Sequence, residues 1–336
     1  MNSPNDNRHR SKHFENAPPI FPNNDIKYEV NKLRAQIFAA ETKQAITWSF
    51  ARDKPSNQVI AEKPNLEAEK KIWLTRHDRD CGDLYGAFPL CHGMPVALTE
   101  HYDRNPDKNL LKGRIGYIED WILDDRESSE FEKDVRYLRY PPKAVLVQFY
   151  EWKKEGGKLV ERPCSWKLDG MPKTGLYPIK PWVRPWFLDQ RRPKPQLLVR
   201  RFQVPLAPAF SITAHASQGQ TLKSAILDLK IGRGVSPIAS YVSFTRIKTR
   251  HDLLIFREFD KAVFNQGEPE GPSLLLRVLR GEKIDWKALE EKHVPRRRCH
   301  GPCLQICLKE EFAKLEWDNH TDRHCKACIA KLKEKA

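Results

Sequence analysis

The sequence predicts an α/β fold followed by a separate metal-binding module. Three observations support this prediction. The apolar run Ala209 to Ile212 ends abruptly in small and polar residues, as a buried strand does where it meets a ligand-binding loop. Apolar residues recur at helical spacing within residues 26–37. Five of the eight cysteines fall after residue 298, in two close pairs and one single residue.

Composition narrows the class of protein. The 336 residues leave room for about two domains, and 40% of them are hydrophobic, which is enough to form cores. No apolar run approaches the roughly 18 residues that span a bilayer, so we expect no membrane partner. The formal charge of +15 favours a polyanionic partner, although a basic balance also simply keeps proteins soluble. Three scattered cysteines indicate a reducing compartment rather than a disulfide framework.

The N-terminal part of the chain divides into an arm and a helix. Residues 1–16 are polar and basic and lack an apolar signal region, so they predict a disordered arm. A short extended piece follows from residue 17. Asn23 or Asn24 can then cap a helix, and Asp25 suits the positive end of its dipole. The apolar residues that give this helix its period are Ile26, Val30, Leu33 and Ile37.

Residues 202–256 contain two motifs whose residues are suited to ligand binding. In the first, the predicted strand delivers polar side chains to a loop at its carboxyl end: Thr213, His215, Ser217 and Gln218. In the second, an amphipathic segment around Tyr241 is followed by Arg246 and then by an apolar run, Leu253 to Phe256. An arginine fixed near a helix end can be held toward the phosphates of a nucleotide.

These motifs resemble the T-x-H-x-S-Q-G-x-T and Y-V-A-x-S-R signatures of superfamily 1 DNA helicases of the Pif and RecD type. The resemblance implies that the first motif grips single-stranded DNA and that Arg246 contacts the γ-phosphate of ATP. Two positions depart from the family pattern: Ala216 replaces a usual lysine, and Thr245 replaces a serine. The implied nucleic-acid-binding residues are Thr213, His215, Ser217, Gln218 and Thr221, and the residues implied in coupling to nucleotide are Gly219 and Tyr241.

Other segments extend this resemblance over most of the chain. Residues 88–99 and 110–116 are similar to further helicase segments, and Asn24, Asn31 and Arg34 resemble an N…N-x-x-R helix. The resemblance implies a RecA-like second motor domain, formed by residues 17–140 and 197–260. It also implies a small β-barrel-like insertion at residues 141–196, of a kind that touches DNA in the family. Trp182 and Trp186 in this insertion would either stack on bases or form its core.

The sequence contains no P-loop, the G-x-x-x-x-G-K-[ST] motif that holds nucleotide phosphates in such motors. The chain therefore resembles the C-terminal half of an ATP-dependent 5′-to-3′ DNA helicase that would use ATP and Mg²⁺ only within a complete motor. The missing P-loop half leaves three origins open for the chain: a truncated gene model, a split gene or a degenerate relic. Two alternative identities also stay open: a helicase-derived adaptor that binds nucleic acid or protein, and a helicase domain from a mobile element. The family implies single-stranded or duplex DNA as partner and DNA repair or recombination in the nucleus, with the mitochondrion as the alternative.

The tail predicts a metal module. Residues 261–298 predict a helix and a basic linker, and residues 299–330 the module itself. Two close pairs, Cys299 with Cys303 and Cys325 with Cys328, can close a tetrahedral Zn²⁺ site of four thiolates. The segment resembles the small zinc domain of the Stc family, which favours Cys303 over Cys307. In the adaptor alternative, this zinc module recruits protein partners. His300 and His324 remain alternative ligands, and three apolar side chains are expected to pack on the site: Phe312, Leu315 and Trp317.

Overall fold

The computed structural model describes residues 7–15, 17–127, 135–230, 238–265, 270–318 and 322–334. These residues form two compact units, Met1–Asn265 and Gln266–Ala336. The strands are β1 Pro19–Phe21, β2 Ile46–Phe50, β3 Arg52–Pro55, β4 Ala87–Leu90, β5 Pro95–Leu98, β6 Ile115–Ile122, β7 Val135–Leu138, β8 Ala144–Glu155, β9 Lys158–Pro163, β10 Leu176–Ile179, β11 Trp182–Phe187, β12 Leu198–Gln203, β13 Leu206–Pro208, β14 Ile212–Thr213, β15 Ala225–Leu227, β16 Leu253–Ile255, β17 Arg296–Arg298 and β18 Ile306–Leu308.

The α-helices are α1 Asn24–Glu41, α2 Asn57–Glu62, α3 Leu66–Thr75, α4 Ile238–Phe244, α5 Glu270–Leu279, α6 Trp286–His293, α7 Lys314–Asp318 and α8 Lys326–Glu334. Short 3-10 helices lie at Asn7–Arg10, Asp78–Cys81, Arg250–Asp252, Lys261–Phe264 and Lys309–Glu311. None of the described helices is long and apolar enough to cross a membrane.

A four-stranded parallel sheet organises the first motif region. Its strand order is β14-β1-β15-β16, and every pair in it is parallel. Ile20, Ala225 and Leu227 form its buried core together with Ala214 from the loop that follows β14. Parallel strands are joined by crossovers that include helices, and this arrangement confirms the predicted α/β class. All four strands end at one edge of the sheet.

Helix α1 forms where the sequence predicts it, but it buries a different face. The side chain of Asn23 accepts a hydrogen bond from the N–H of Asp25 and caps the helix. Its buried residues are Tyr28, Asn31, Ala35 and Ala39. In the predicted apolar stripe, by contrast, Leu33 is 58% exposed and Ile37 is 43% exposed. The alanines let the helix approach closely, and Asn31 satisfies buried backbone groups, so small and polar residues occupy the inner face.

Asn31 connects α1 to the segment that leads into β14. Its Nδ2 donates a hydrogen bond to the carbonyl oxygen of Pro208 at 2.6 Å. Its Oδ1 accepts from the backbone N–H and the hydroxyl of Ser211, both at 2.8 Å. A buried side chain that satisfies three partners fixes the position of the strand entering the first motif.

The remaining strands of the larger unit form antiparallel and mixed sheets. One sheet has the order β10-β8-β6-β5-β13 with β9 paired to β8, a second is β11-β12-β3, and a third is β4-β2-β7. The predicted insertion, residues 141–196, supplies β8 to β11, but these strands pair with strands from residues 115–122 and 198–203. The all-β region therefore extends on both sides of the predicted range, and its barrel-like closure stays a prediction.

The tryptophans of β11 face the interior. Trp186 is buried and its ring contacts that of Trp73 at 5.8 Å. Trp182 stacks on Tyr102 at 5.4 Å between ring centroids. These contacts favour the interpretation of Trp186 as a core residue over that of a stacking surface for bases.

Residues 7–15 correct the prediction of a disordered arm for that part of residues 1–16. Phe14 is buried and packs with Ala17 and Leu254. The Nε2 of His13 lies 2.8 Å from Oδ1 of Asp252, and the carbonyl of His13 accepts a hydrogen bond from Ser224. The apolar ring of Phe14 attaches this segment to the parallel sheet, because its burial compensates the entropy of ordering. Residues 1–6 and 16 lie outside the described residues.

A buried ion pair joins β12 to β3. Arg201 is fully buried, and its guanidinium donates to both carboxylate oxygens of Asp53, at 2.9 and 2.7 Å. It also donates to the carbonyl oxygens of Leu84 and Trp73. The pair therefore satisfies groups from three parts of the chain.

Substitution Asp53→Ala should lower the free energy of unfolding by about 3–5 kcal/mol, because it leaves the Arg201 charge buried without its partner. Urea denaturation of the full chain measures this change. The matched control is Glu155→Ala, which removes an exposed ion pair with Arg162 and should leave the unfolding midpoint almost unchanged. Equal midpoints for the two variants would contradict the importance given to the Asp53 pair.

Candidate nucleic-acid interface and metal centre

The first motif forms a tight turn at the carboxyl end of β14. The backbone N–H of Ala216 donates to Oγ1 of Thr213 at 3.2 Å, and the N–H of Ser217 donates to the carbonyl of Thr213 at 3.0 Å. The hydroxyl of Ser217 donates to the carbonyl of Ala214 at 2.7 Å. Ser217 is fully buried, so it supports the turn from beneath. This placement differs from its predicted role as a residue that contacts nucleic acid.

Other residues of the same motif face outward. His215, Gln218 and Thr221 are all exposed, as contact with an external polymer requires. Gly219 has a φ of +80°, a backbone conformation that favours glycine. We call residues 213–222 the motif loop. Its outer surface presents an imidazole, an amide and a hydroxyl, which can all bond to phosphates, sugars or bases.

The second motif lies directly against the motif loop. The N–H of Leu222 donates to the carbonyl of Arg246 at 2.8 Å, and Leu222 forms a parallel bridge with Ile247. Nη1 of Arg246 lies 3.3 Å from the carbonyl oxygen of Gln220. The sequence predicted both motifs separately, and the fold brings them into contact.

The guanidinium of Arg246 has no acidic partner among the described residues. It donates instead to the carbonyl of Val242 through Nε at 3.0 Å, and to Oγ1 of Thr245 through Nη2 at 2.8 Å. The departure at Thr245 therefore keeps a hydroxyl that holds the arginine in place. Tyr241, on the preceding helix α4, is exposed. Arg246 is partly exposed and its charge is uncompensated, so it can pair with an anion.

An ion pair that the sequence did not reveal lies beyond the ends of β15 and β16. Asp228 is fully buried, and both of its carboxylate oxygens accept from Arg257, at 2.9 and 2.8 Å. A signal existed in the sequence, because an acidic and a basic residue each follow an apolar strand. The pair connects the two strand ends and so fixes the edge of the sheet near which the motif loop emerges.

Comparisons with known proteins add a fold likeness. The chain is similar to the Pif1 helicase from Candida albicans, with 17% identity over 79% of this chain and 50% of that chain and a TM-score of 0.44. It is also similar to a Bacteroides Pif1 bound to ssDNA, with 14% identity over 78% of this chain and 45% of that chain and a TM-score of 0.44. A third similar structure is Pif1 from Bacteroides in complex with ADP-AlF3 and ssDNA, with 15% identity over 82% of this chain and 45% of that chain and a TM-score of 0.40.

The chain spans about half the length of these helicase chains. No family model and no curated protein matches it. Because the identities and TM-scores are low, the likeness assigns no function, and a functional conclusion has to rest on the residues of the site.

In the smaller unit, the four predicted cysteines come together. The sulfur atoms of Cys299, Cys303, Cys325 and Cys328 all lie within 4.8 Å of one another. Those of Cys303 and Cys325 are 3.8 Å apart. A tetrahedral zinc site with Zn–S bonds of about 2.3 Å has sulfur–sulfur edges of about 3.8 Å. The donor set and its spacing therefore fit a Zn²⁺ ion.

Two backbone amides contact one of the four sulfur atoms. The N–H groups of Gly301 and Cys325 lie 3.3 and 3.2 Å from Sγ of Cys299 and donate to it. A Cβ on Gly301 would stand 2.6 Å from the His324 ring and 2.9 Å from Cβ of Cys328. Only glycine allows the first cysteine pair to approach the second so closely.

Cys303, rather than Cys307, belongs to this group. The four sulfur atoms that lie within 4.8 Å of one another include that of Cys303 but not that of Cys307. The sulfur of Cys307 is directed instead to the carbonyl of Gln305, at 3.7 Å. His300 and His324, the alternative ligands from the sequence, are not members of the four-residue cluster.

Aromatic packing surrounds the metal centre. Phe312 is buried, bridges to Cys325 in the backbone, and contacts the ring of Trp317 at 5.6 Å. The guanidinium of Arg297 lies over the Trp317 ring at 4.4 Å. Leu315, by contrast, is 87% exposed, so the prediction that it packs on the site is wrong.

Proposed function

We propose that residues 17–260 are the second, RecA-like motor domain of a superfamily 1 ATP-dependent DNA helicase. One observation carries this proposal: two motifs with the family's residue pattern are in direct contact, through the Leu222–Arg246 backbone hydrogen bond and the Gln220–Arg246 side-chain contact. The motif loop grips single-stranded DNA, and Arg246 contacts the γ-phosphate of ATP held on a P-loop-bearing domain. The family pattern gives the 5′-to-3′ polarity and a nuclear location.

In this proposal the residues divide these tasks according to their burial. Thr213 and Ser217 hold the turn, while His215, Gln218 and Thr221 contact the nucleic acid. Arg246 bonds to the backbone of the same loop, so a shift of its guanidinium toward a phosphate would move the loop. This direct connection couples nucleotide state to DNA grip, with Gly219 allowing the turn to adjust.

The tail provides a structural Zn²⁺ site in this proposal, and in the adaptor alternative this zinc module recruits a protein partner. A second candidate function is a non-catalytic adaptor that binds nucleic acid or protein. It is favoured by the alanine at position 216, where the family pattern has a lysine. The two functions differ in one outcome: only the helicase function requires Arg246 for ATP turnover.

The 336-residue chain alone should neither bind ATP tightly nor hydrolyse it, because it has no P-loop to hold the phosphates. A coupled ATPase assay with and without single-stranded DNA tests this expectation. Robust DNA-stimulated hydrolysis by the purified chain would contradict it. A preparation carrying Arg246→Ala serves as the control for a contaminating ATPase, whose activity the substitution would not change.

Single-stranded DNA should bind mainly through its phosphates, with affinity that falls steeply as salt rises. His215→Ala and Gln218→Ala should each weaken binding by a few fold, because each removes one polar contact. Arg246→Ala should leave affinity almost unchanged, since the arginine is assigned to nucleotide. Fluorescence anisotropy with a labelled oligonucleotide measures all three. If Arg246→Ala weakened binding more than the two loop substitutions, the assignment of roles would be wrong.

A further inference from the structure

The outer face of the sheet β11-β12-β3 carries an exposed row of basic and apolar side chains. Directly paired residues in an antiparallel sheet point to the same face. Arg200 pairs with Lys54 and with Pro185. Two residues further along β12, Phe202 pairs with Val183 and with Arg52. We call this face, with the adjoining residues of α3, the β12 platform.

Cations on the β12 platform lack acidic partners. Among the described residues, Lys54, Lys71 and Arg200 form no ion pair. The carboxylate of Asp53 is directed to the opposite face, where Arg201 occupies both of its oxygens. The carboxylate of Glu67 is paired with Lys70 at 2.8 Å. The platform therefore presents at least three uncompensated positive charges around one groove.

Apolar groups lie among these charges. The ring of Phe202 is 36% exposed and Val183 is 56% exposed. Together with Leu74 and the stems of the basic residues they line a groove of about 870 Å³. An aromatic ring in a basic groove suits a ligand that alternates flat apolar faces with negative charges.

We propose that the β12 platform is a binding surface for single-stranded nucleic acid, separate from the motif loop. Lys54, Lys71 and Arg200 contact phosphates, and the ring of Phe202 stacks on a base. Three strands spaced about 4.8 Å apart span only about 10 Å, which suits one extended strand rather than a duplex. Bases of a duplex are also stacked on each other, so they cannot lie flat on Phe202.

This inference does not rest on the proposed helicase function. None of the platform residues belongs to either motif, and the charges and exposed ring would bind a single strand whether or not the chain takes part in ATP hydrolysis. The motif loop therefore stays intact in every platform variant, and a separate His215→Ala/Gln218→Ala variant reports on the loop alone.

The first experiment compares charge-reversal variants of the full chain by anisotropy with labelled oligo-dT over a range of salt. Lys54→Glu/Arg200→Glu should weaken binding by about tenfold and reduce the slope of log K against log salt by about 1.4, because two phosphate contacts are lost. The control is Lys154→Glu/Arg104→Glu, which makes the same charge change at exposed residues away from the groove. Thermal melting identifies any variant that unfolds.

The second experiment tests stacking. Phe202→Ala should weaken binding of oligo-dT by about fivefold. On an abasic oligonucleotide of equal length it should have no effect, because no base is present to stack. Trp152→Ala, which removes an exposed aromatic residue outside the groove, is the matched control and should change neither affinity.

Four results would overturn the proposal. The first is equal loss of affinity in the platform and control double variants, which would show that only net charge matters. The second is an equal effect of Phe202→Ala on the oligo-dT and abasic strands. The third is an unlabelled duplex that competes as well as the single strand. Loss of binding in the His215→Ala/Gln218→Ala variant alone would likewise leave the platform without a role.

Discussion

Removal of the metal from the smaller unit should unfold residues 299–330 and leave the larger unit folded. The module has one small core, formed by the cysteines, Phe312 and Trp317, and so little buried area cannot stabilise a fold by itself. Metal binding contributes about 10–16 kcal/mol in comparable zinc modules at neutral pH, and this energy is folding energy. Limited proteolysis with and without a strong chelator measures the change, and elemental analysis should give one zinc per chain.

Single cysteine substitutions refine this prediction. Cys325→Ser should remove the zinc and make the tail as sensitive to protease as chelation does. Cys307→Ser is the matched control, because this cysteine is also buried in the same core but lies outside the four-sulfur cluster. A zinc content near zero in the unmodified chain would refute the site. If Cys303→Ser retained zinc and Cys307→Ser lost it, Cys307 rather than Cys303 would be the fourth zinc ligand.

Substitution Arg246→Ala should lower ATP turnover by about 10³–10⁵-fold once a P-loop-bearing domain is present, as expected for the loss of an arginine finger. In this structure the guanidinium of Arg246 donates hydrogen bonds to two backbone carbonyls and one hydroxyl. These are neutral partners that an anionic phosphate can displace. The substitution removes three polar contacts of a partly exposed side chain and leaves no buried charge unpaired, so the variant should fold normally, and the loss should appear in turnover alone.

The sequence predicts those parts of the fold that depend on local pattern. The cap of α1 at Asn23 and the turn at Gly219 both follow from residue type and spacing. The buried face of α1 does not, because it depends on what the helix packs against. Close approach to the strand before β14 selects Ala35 and Asn31 for this face and leaves Leu33 exposed.

In the candidate site, too, local pattern predicts some features and tertiary contacts decide the others. The residues of the motif loop could be predicted from the family pattern, and the cysteine pairs from their spacing. The burial of Ser217 beneath the turn could not, because it depends on a hydrogen bond to the carbonyl of Ala214 that forms only when the loop folds. The pair between Asp228 and Arg257 joins residues 29 positions apart, just beyond the ends of two neighbouring strands, and strand order is not visible in one sequence.

The strands of the β region are the least predictable part. The family resemblance implies an insertion bounded by residues 141 and 196. Pairing across the chain instead joins β12 to β3, which lies about 150 residues earlier in the sequence. Such long-range pairing places Phe202, Arg200 and Lys54 on one face, and no local pattern indicates it.

The most direct test of the central claim is the DNA-stimulated ATPase rate of a two-part motor, in which this chain is combined with a P-loop-bearing domain. The rate is compared for the unmodified chain, Arg246→Ala and a control variant, Arg250→Ala, which removes an exposed arginine four residues later. The account predicts that only Arg246→Ala abolishes turnover while single-stranded DNA binding stays unchanged. Equal turnover in Arg246→Ala and Arg250→Ala would contradict the account and favour the adaptor function.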